Sequence, residues 1–135
     1  MAPKGLLYAK THEWVRLETN TAGQKIATLG LTSFALEALT DLVFVDLPKV
    51  GRQLKQGETF GEIESVKAVS DLYSPVDGQV IEVNSAIVNH LEQLGDDPYE
   101  NGWFIKLAIT NDAGLASLMD EAAYRRQCEE ESNDH

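Results

Sequence analysis

The sequence predicts a mostly β domain: a two-sheet sandwich or flattened barrel with short peripheral helices and a C-terminal helix. Three observations lead there. Short runs rich in β-branched and aromatic residues, or alternating polar and apolar ones, recur along the chain. Turn dipeptides separate them at close spacing. Helical signals are confined to brief stretches.

Residues 6–10 and 14–17 are short apolar runs. Lys25-Ile26-Ala27-Thr28-Leu29 alternates, and Gly30 closes it. Thr32 or Ser33 can cap a short helix through Phe34, Leu36 and Leu39, with Glu37 near its start. The run from Asp41 through Leu42, Val43, Phe44, Val45 and Asp46 to Leu47 reads as a strand that Pro48 ends. Residues 59–65, 68–73, 79–83 and 103–109 continue the pattern. Val50-Gly51, Gln56-Gly57, Ser74-Pro75 with Asp77-Gly78, and Asn101-Gly102 mark turns. A second helix is expected over 86–94, stopped by Gly95. A third is expected over 120–130, with Met119, Ala122, Ala123 and Tyr124 facing inward. Residues 1–128 form one domain in this reading, and 129–135 an acidic tail that frays.

A chain of 135 residues can bury a core without metal or disulfide staples. The hydrophobic share of 43% is ordinary. The net charge of −11 is not: it argues against a nucleic-acid partner and an anionic membrane surface, and it permits steering toward proteins with basic docking faces. Cys128 is the single cysteine, so no internal disulfide can form, which fits a reducing compartment. No apolar run is long enough to span a membrane. The start, Met1-Ala2-Pro3-Lys4-Gly5, lacks the core of a secretory signal and the character of a transit peptide. The expected location is therefore the bacterial cytoplasm, or the mitochondrial matrix if a transit peptide has been removed.

No enzyme motif emerges. His12, His90 and His135 lack metal-ligand spacing, and His12-Glu13 is not followed by a second zincin histidine. There is no Cys-x-x-Cys, no phosphate loop and no Gly-x-Ser-x-Gly elbow. No catalytic or metal-ligating residue is expected.

One segment asks for a different explanation. Two strand-like halves flank Val66-Lys67-Ala68, so a reversal there would set Lys67 at a hairpin tip between the small residues Ser65 and Ala68. Glu62, Glu64 and Asp71 flank the tip and favour the charged amine, so an enzyme acylating it would have to supply the base. Lys67 is one of seven lysines, and exposed lysines are ordinary. Against that, lysine is not a usual turn former, and residues 74–80 follow as a second hairpin signal that would pair symmetrically around the presented amine.

The block Glu64-Ser65-Val66-Lys67-Ala68 resembles the lipoylation site of the glycine cleavage H-protein family, as does the following Ser70-Asp71-Leu72-Tyr73-Ser74-Pro75. Further blocks resemble the family in order: His12-Glu13-Trp14-Val15, Leu29-Gly30-Leu31-Thr32, Val43-Phe44-Val45-Asp46-Leu47-Pro48, and Asp97-Pro98-Tyr99 with Gly102-Trp103-Phe104. They extend over about residues 7–125. One departure is the stretch from Asn89 to Gly95, where the family often carries an Asn-Pro pair, so no partner contact is carried over there.

The resemblance implies a lipoyl/biotinyl hammerhead-type sandwich, with lipoate amide-linked to Lys67 and Glu64, Ser65, Val66 and Ala68 forming its attachment block. It implies a non-enzymatic shuttle for the aminomethyl group. The partners would be a pyridoxal-phosphate glycine decarboxylase, a tetrahydrofolate-dependent aminomethyltransferase and a dihydrolipoyl dehydrogenase. A lipoate ligase or lipoyltransferase would attach the group to a monomeric carrier. It also makes Glu13 the candidate for receiving the loaded arm's ammonium in a cleft, against the plainer reading of a surface carboxylate. Lipoyl domains of 2-oxoacid dehydrogenases typically show Asp-Lys-Ala, and biotin carriers Met-Lys-Met, where this chain has Val66-Lys67-Ala68. The alternatives left open are a carrier of this type serving lipoyl relay or sulfur oxidation, a binding module without modification, and an autonomous enzyme.

Overall fold

The computed structural model describes residues 4–133. Nine strands, β1 Leu7–Tyr8, β2 Glu13–Thr19, β3 Lys25–Leu31, β4 Leu42–Asp46, β5 Gln53–Leu54, β6 Thr59–Ser65, β7 Val69–Tyr73, β8 Asp77–Val83 and β9 Ile105–Asn111, form two antiparallel sheets. The larger has the order β1-β2-β3-β9-β8-β5 and the smaller β4-β6-β7. They face each other without closing, a flattened sandwich as the sequence predicts. Buried side chains from both sheets, among them Leu29, Val45, Ile63, Leu72, Phe104 and Leu107, fill the space between them. The helices α1 Ser33–Leu39, α2 Glu92–Asp96 and α3 Glu121–Asn133 lie at the edges. Beneath α3 a second cluster gathers Leu6, Tyr8, Trp14, Tyr99 and Tyr124.

Two glycines fix close approaches. A Cβ at Gly30 would overlap the buried Trp14 indole, and one at Gly61 would overlap the Asp46 carbonyl where β4 crosses β6. Gly30 therefore sits inside β3 rather than closing it.

Several expectations need correction. Residues 9–12 form a turn, not the end of a strand. Residues 74–80 are no second hairpin: β7 lies in the small sheet and β8 in the large one, so Ser74-Pro75-Val76 carries the chain between sheets, pinned by a Ser74 hydroxyl donating to the Val76 carbonyl at 2.7 Å. The expected helix over 86–94 divides into a 3-10 helix, Ser85–Asn89, and the short α2, which includes Gly95. The lysine-free helix end does not stop at Glu130; α3 continues through Asn133, so residues 129–133 are helical, while Asp134 and His135 lie outside the described residues. On α3, Tyr124 is buried but Ala122 is exposed. The strand Gln53–Leu54 and the 3-10 helix Ala113–Ser117 were not foreseen.

Helix α1 begins as expected, with the Thr32 hydroxyl accepting from the Ala35 N–H at 3.4 Å. It ends unusually. Thr40 has φ 48° and ψ 166°, and Asp41 follows with φ 36°. A β-branched residue is strained in that near-glycine conformation, by on the order of 1–3 kcal/mol. Thr40→Gly would release the strain and lose a smaller amount to the freer unfolded chain. We expect a net gain of about 1 kcal/mol in urea unfolding; a variant less stable than the parent would refute the strain.

Candidate functional site

The hairpin between β6 and β7 places Lys67 in an exposed turn. The turn is held at its base from two directions. The Ser65 N–H donates to the Ala68 carbonyl at 2.8 Å, and the Ser65 hydroxyl accepts from the Ala68 N–H at 3.1 Å. From the neighbouring strand side, the Asp41 carbonyl accepts the Val66 N–H at 3.0 Å. The strained Thr40–Asp41 corner thus supplies a hold on the tip. Ser65 is buried, so it acts as the clamp of the turn and not merely as a small neighbour. Among the described residues Lys67 makes no ion pair or side-chain hydrogen bond.

Register assigns the surroundings. Across the small sheet, Phe44, Glu64 and Val69 lie side by side, and the next outward row is Asp46, Glu62 and Asp71. Val45 and Ile63 occupy the opposite, buried face. Lysine 67 therefore stands above a surface with four carboxylates and the exposed apolar side chains Val66, Val69 and Phe44. Among the described residues, no cation lies within ion-pair distance of Asp46, Glu62, Glu64 or Asp71.

At the far end of β7 is a second feature. The turn from Ala9 to Glu13 closes with the Ala9 N–H on the Glu13 carbonyl at 2.9 Å and the His12 N–H on the Ala9 carbonyl at 3.0 Å. Glu13 opens β2 in the large sheet, but its carboxylate accepts the Tyr73 N–H, at 3.1 Å, from the edge strand of the small one. The Thr11 hydroxyl donates to the other carboxylate oxygen. Glu13 is 0% exposed, so the reading as a surface carboxylate is wrong. Burial pushes its carboxyl up to about 7, against the opposing pull of the Thr11 and Tyr73 hydrogen bonds. A cleft of about 350 Å³ opens there, bounded by residues including Lys10, Thr11, Glu13, Tyr73, Pro75 and Leu118.

The geometry thus separates the sequence candidates into two places. Glu64, Ser65, Val66, Lys67 and Ala68 make the tip; Glu13 sits near the other end of the same hairpin, about 13 Å along β7 from Val69 to Tyr73. Thr11 and Tyr73, which hold Glu13, were missed. Tyr73 meets Glu13 only through tertiary packing, and no local pattern announces it. A larger cleft of about 560 Å³, lined by residues including Leu36, Glu37, Asp41, Leu91 and Asp96, lies between α1 and α2, where the unusual Asn89-to-Gly95 stretch packs.

The family profile of the glycine cleavage H-protein matches residues 6–131. The chain belongs to the glycine cleavage H-protein family. It is similar to the glycine cleavage system H protein of Rhodopirellula baltica, with 51% identity over 128 residues, 95% of this chain and 96% of that one. The corresponding protein of Thermotoga maritima is 45% identical over 124 residues, covering 92% and 96%. The crystal structure of a glycine cleavage system H protein from Mycobacterium marinum superposes with a TM-score of 0.82 at 39% identity, covering 93% of this chain and 97% of that one. The two-sheet sandwich with its C-terminal helix is therefore an architecture shared with a solved member of this family. No helix among the described residues is long and apolar enough to cross a membrane.

Proposed function

We propose that this chain is a lipoyl-carrying shuttle of the glycine cleavage system, with lipoate amide-linked to Lys67. Family membership supports the carrier role and its non-catalytic character. The observation that carries the residue assignment is the pinned tip: the turn's backbone is fixed while the Lys67 amine is left unengaged. Lys106 offers a contrast. It pairs with Glu82 at 3.5 Å and lies over the Trp103 ring at 5.3 Å.

A lipoate ligase or lipoyltransferase would dock on the acidic and apolar surface around the tip and supply the base for acylation. Bound lipoate would contribute the dithiolane redox and group-carrying chemistry. The protein's own part is tethering and placement, which make each hand-over effectively intramolecular within a docked pair. In this reading the carrier accepts an aminomethyl group from the pyridoxal-phosphate glycine decarboxylase and presents it to the tetrahydrofolate-dependent aminomethyltransferase. Dihydrolipoyl dehydrogenase would then return the dithiol to the disulfide, passing the two electrons on to NAD. Between encounters, the cationic loaded arm would lie along β7 with its ammonium against Glu13, the one acidic side chain among the described residues bounding the cleft at that end.

The test is intact mass followed by peptide mapping, after incubating the full chain with lipoate, ATP and a lipoate ligase. One adduct on Lys67 is expected. An adduct on Lys55 or Lys106 instead would remove the assignment.

A further inference from the structure

The turn that carries Glu13 has two sides. Thr11 and Glu13 meet on the cleft side. His12, between them, faces helix α3. Its φ of 79° lies in the left-handed region, which is uncommon for a residue other than glycine and stores strain unless its surroundings hold it there.

Helix α3 provides that hold. The His12 Nδ1 lies 2.7 Å from the Tyr124 hydroxyl, and its Nε2 lies 3.2 Å from the Glu131 carboxylate. A carboxylate only accepts, so Nε2 is the donor toward Glu131, and Nδ1 can then accept from Tyr124. The Tyr124 oxygen in turn is 2.6 Å from the Thr32 hydroxyl, the cap of α1. The grip extends along the turn. Gln127 donates to the Lys10 carbonyl at 2.9 Å, and the Tyr124 ring stacks on Tyr8 at 4.6 Å. Just before the helix, Met119 and Tyr8 exchange two backbone hydrogen bonds of 2.8 Å. None of Tyr124, Gln127 or Glu131 lines the cleft.

We propose that helix α3 is the backing of the Glu13 cleft, and that His12, with the Tyr124, Gln127 and Glu131 side chains that hold it, positions the Glu13 carboxylate. Without that grip the left-handed residue relaxes. Thr11 then leaves Glu13, the carboxylate loosens from Tyr73, and water enters. The carboxylate remains but is less well placed for a cation, a function that rests on the reading of Glu13 given above. Lys10, the only other charged residue lining the cleft among the described residues, moves with the same turn.

The test uses the full chain carrying Tyr124→Phe together with Gln127→Ala. These changes keep the ring stacked on Tyr8 and touch nothing inside the cleft. Arg126→Ala, exposed on the same helix, is the control. The Glu13 carboxyl is titrated by carbon NMR in the unmodified protein, and ammonia release from the loaded carrier is followed without transferase. Because burial is the larger influence on Glu13, its midpoint should fall by roughly one unit in the double variant. Ammonia release should rise roughly threefold, a change of under one factor of ten, while the control moves neither. A lowered melting temperature with an unchanged Glu13 midpoint would overturn the proposal and leave α3 as a stabilising helix only. The two readings fail separately. A moved midpoint supports the backing even if Glu13→Gln leaves release unchanged, which sinks only the arm's use of Glu13. If Glu13→Gln hastens release and the α3 variant changes neither readout, the backing alone fails.

Discussion

Glu13→Gln is expected to stabilise the unmodified protein above pH 7 while weakening its hold on a loaded arm. Burial raises the Glu13 carboxyl from 4.5 to about 7, so the folded state binds its proton more tightly than the unfolded state does. The stability this group contributes is fully present below about pH 4.5 and is lost as the pH rises through about 7. A shift of this size corresponds to about 3 kcal/mol at alkaline pH. Glutamine has the shape of the protonated acid. Its carbonyl can accept the Tyr73 N–H, and its amide can donate to the Thr11 oxygen. Urea unfolding should therefore show a gain of about 2 kcal/mol at pH 8 and almost none at pH 4. Parallel pH dependence in parent and variant would show that Glu13 titrates as an ordinary carboxylate. In the loaded carrier the same change removes the anion, and ammonia release without transferase should accelerate roughly two- to tenfold, since 1.4 kcal/mol is a factor of ten. Equal release rates at low salt would exclude Glu13 as the ammonium's partner. The buried charge is thus retained at the expense of stability, a pattern common at functional sites.

Lys67→Arg should keep the fold and abolish the carrier function. The side chain is exposed and unengaged, so the stability change should stay within about 0.5 kcal/mol. Arginine retains the charge but offers no amine that forms the amide. Glycine–bicarbonate exchange with the decarboxylase should fall to background, with the melting temperature unchanged. Exchange that persists at working carrier concentration would refute the assignment of Lys67.

The hairpin was readable because its signals are local. Two β-rich halves flank a residue that does not favour turns, and the predicted strand over residues 59–65 coincides with β6. The start of α1 was readable as a cap at Thr32 or Ser33 for the same reason, and the structure selects Thr32. Sheet membership was not. The Ser74-Pro75 and Asp77-Gly78 pairs signal a change of direction, but not whether the next strand returns to the same sheet or crosses to the other. The helix over 85–96 is interrupted where its first part packs beside β4 and α2 packs beside α1, which no periodicity in a short apolar run reveals. Glu13 was recognisable as a candidate only through resemblance. Its burial depends on Tyr73, sixty positions away, and on a left-handed His12 that nothing in His-Glu-Trp foretells.

The unpaired carboxylates around the tip also govern how copies of this molecule treat one another. Val66, at 70% exposure, and Val69, at 59%, are adhesive surfaces, and two identical tips would otherwise bury them together. Bringing them face to face also brings Asp46, Glu62, Glu64 and Asp71 against their own kind, within a chain of net charge −11. Adhesion is thereby reserved for surfaces of opposite sign. That discrimination has a range set by dissolved ions, about 8 Å at physiological ionic strength and about 3 Å at 1 M salt. Concentrated salt therefore removes the colloidal protection of the hairpin and its attraction for basic surfaces together.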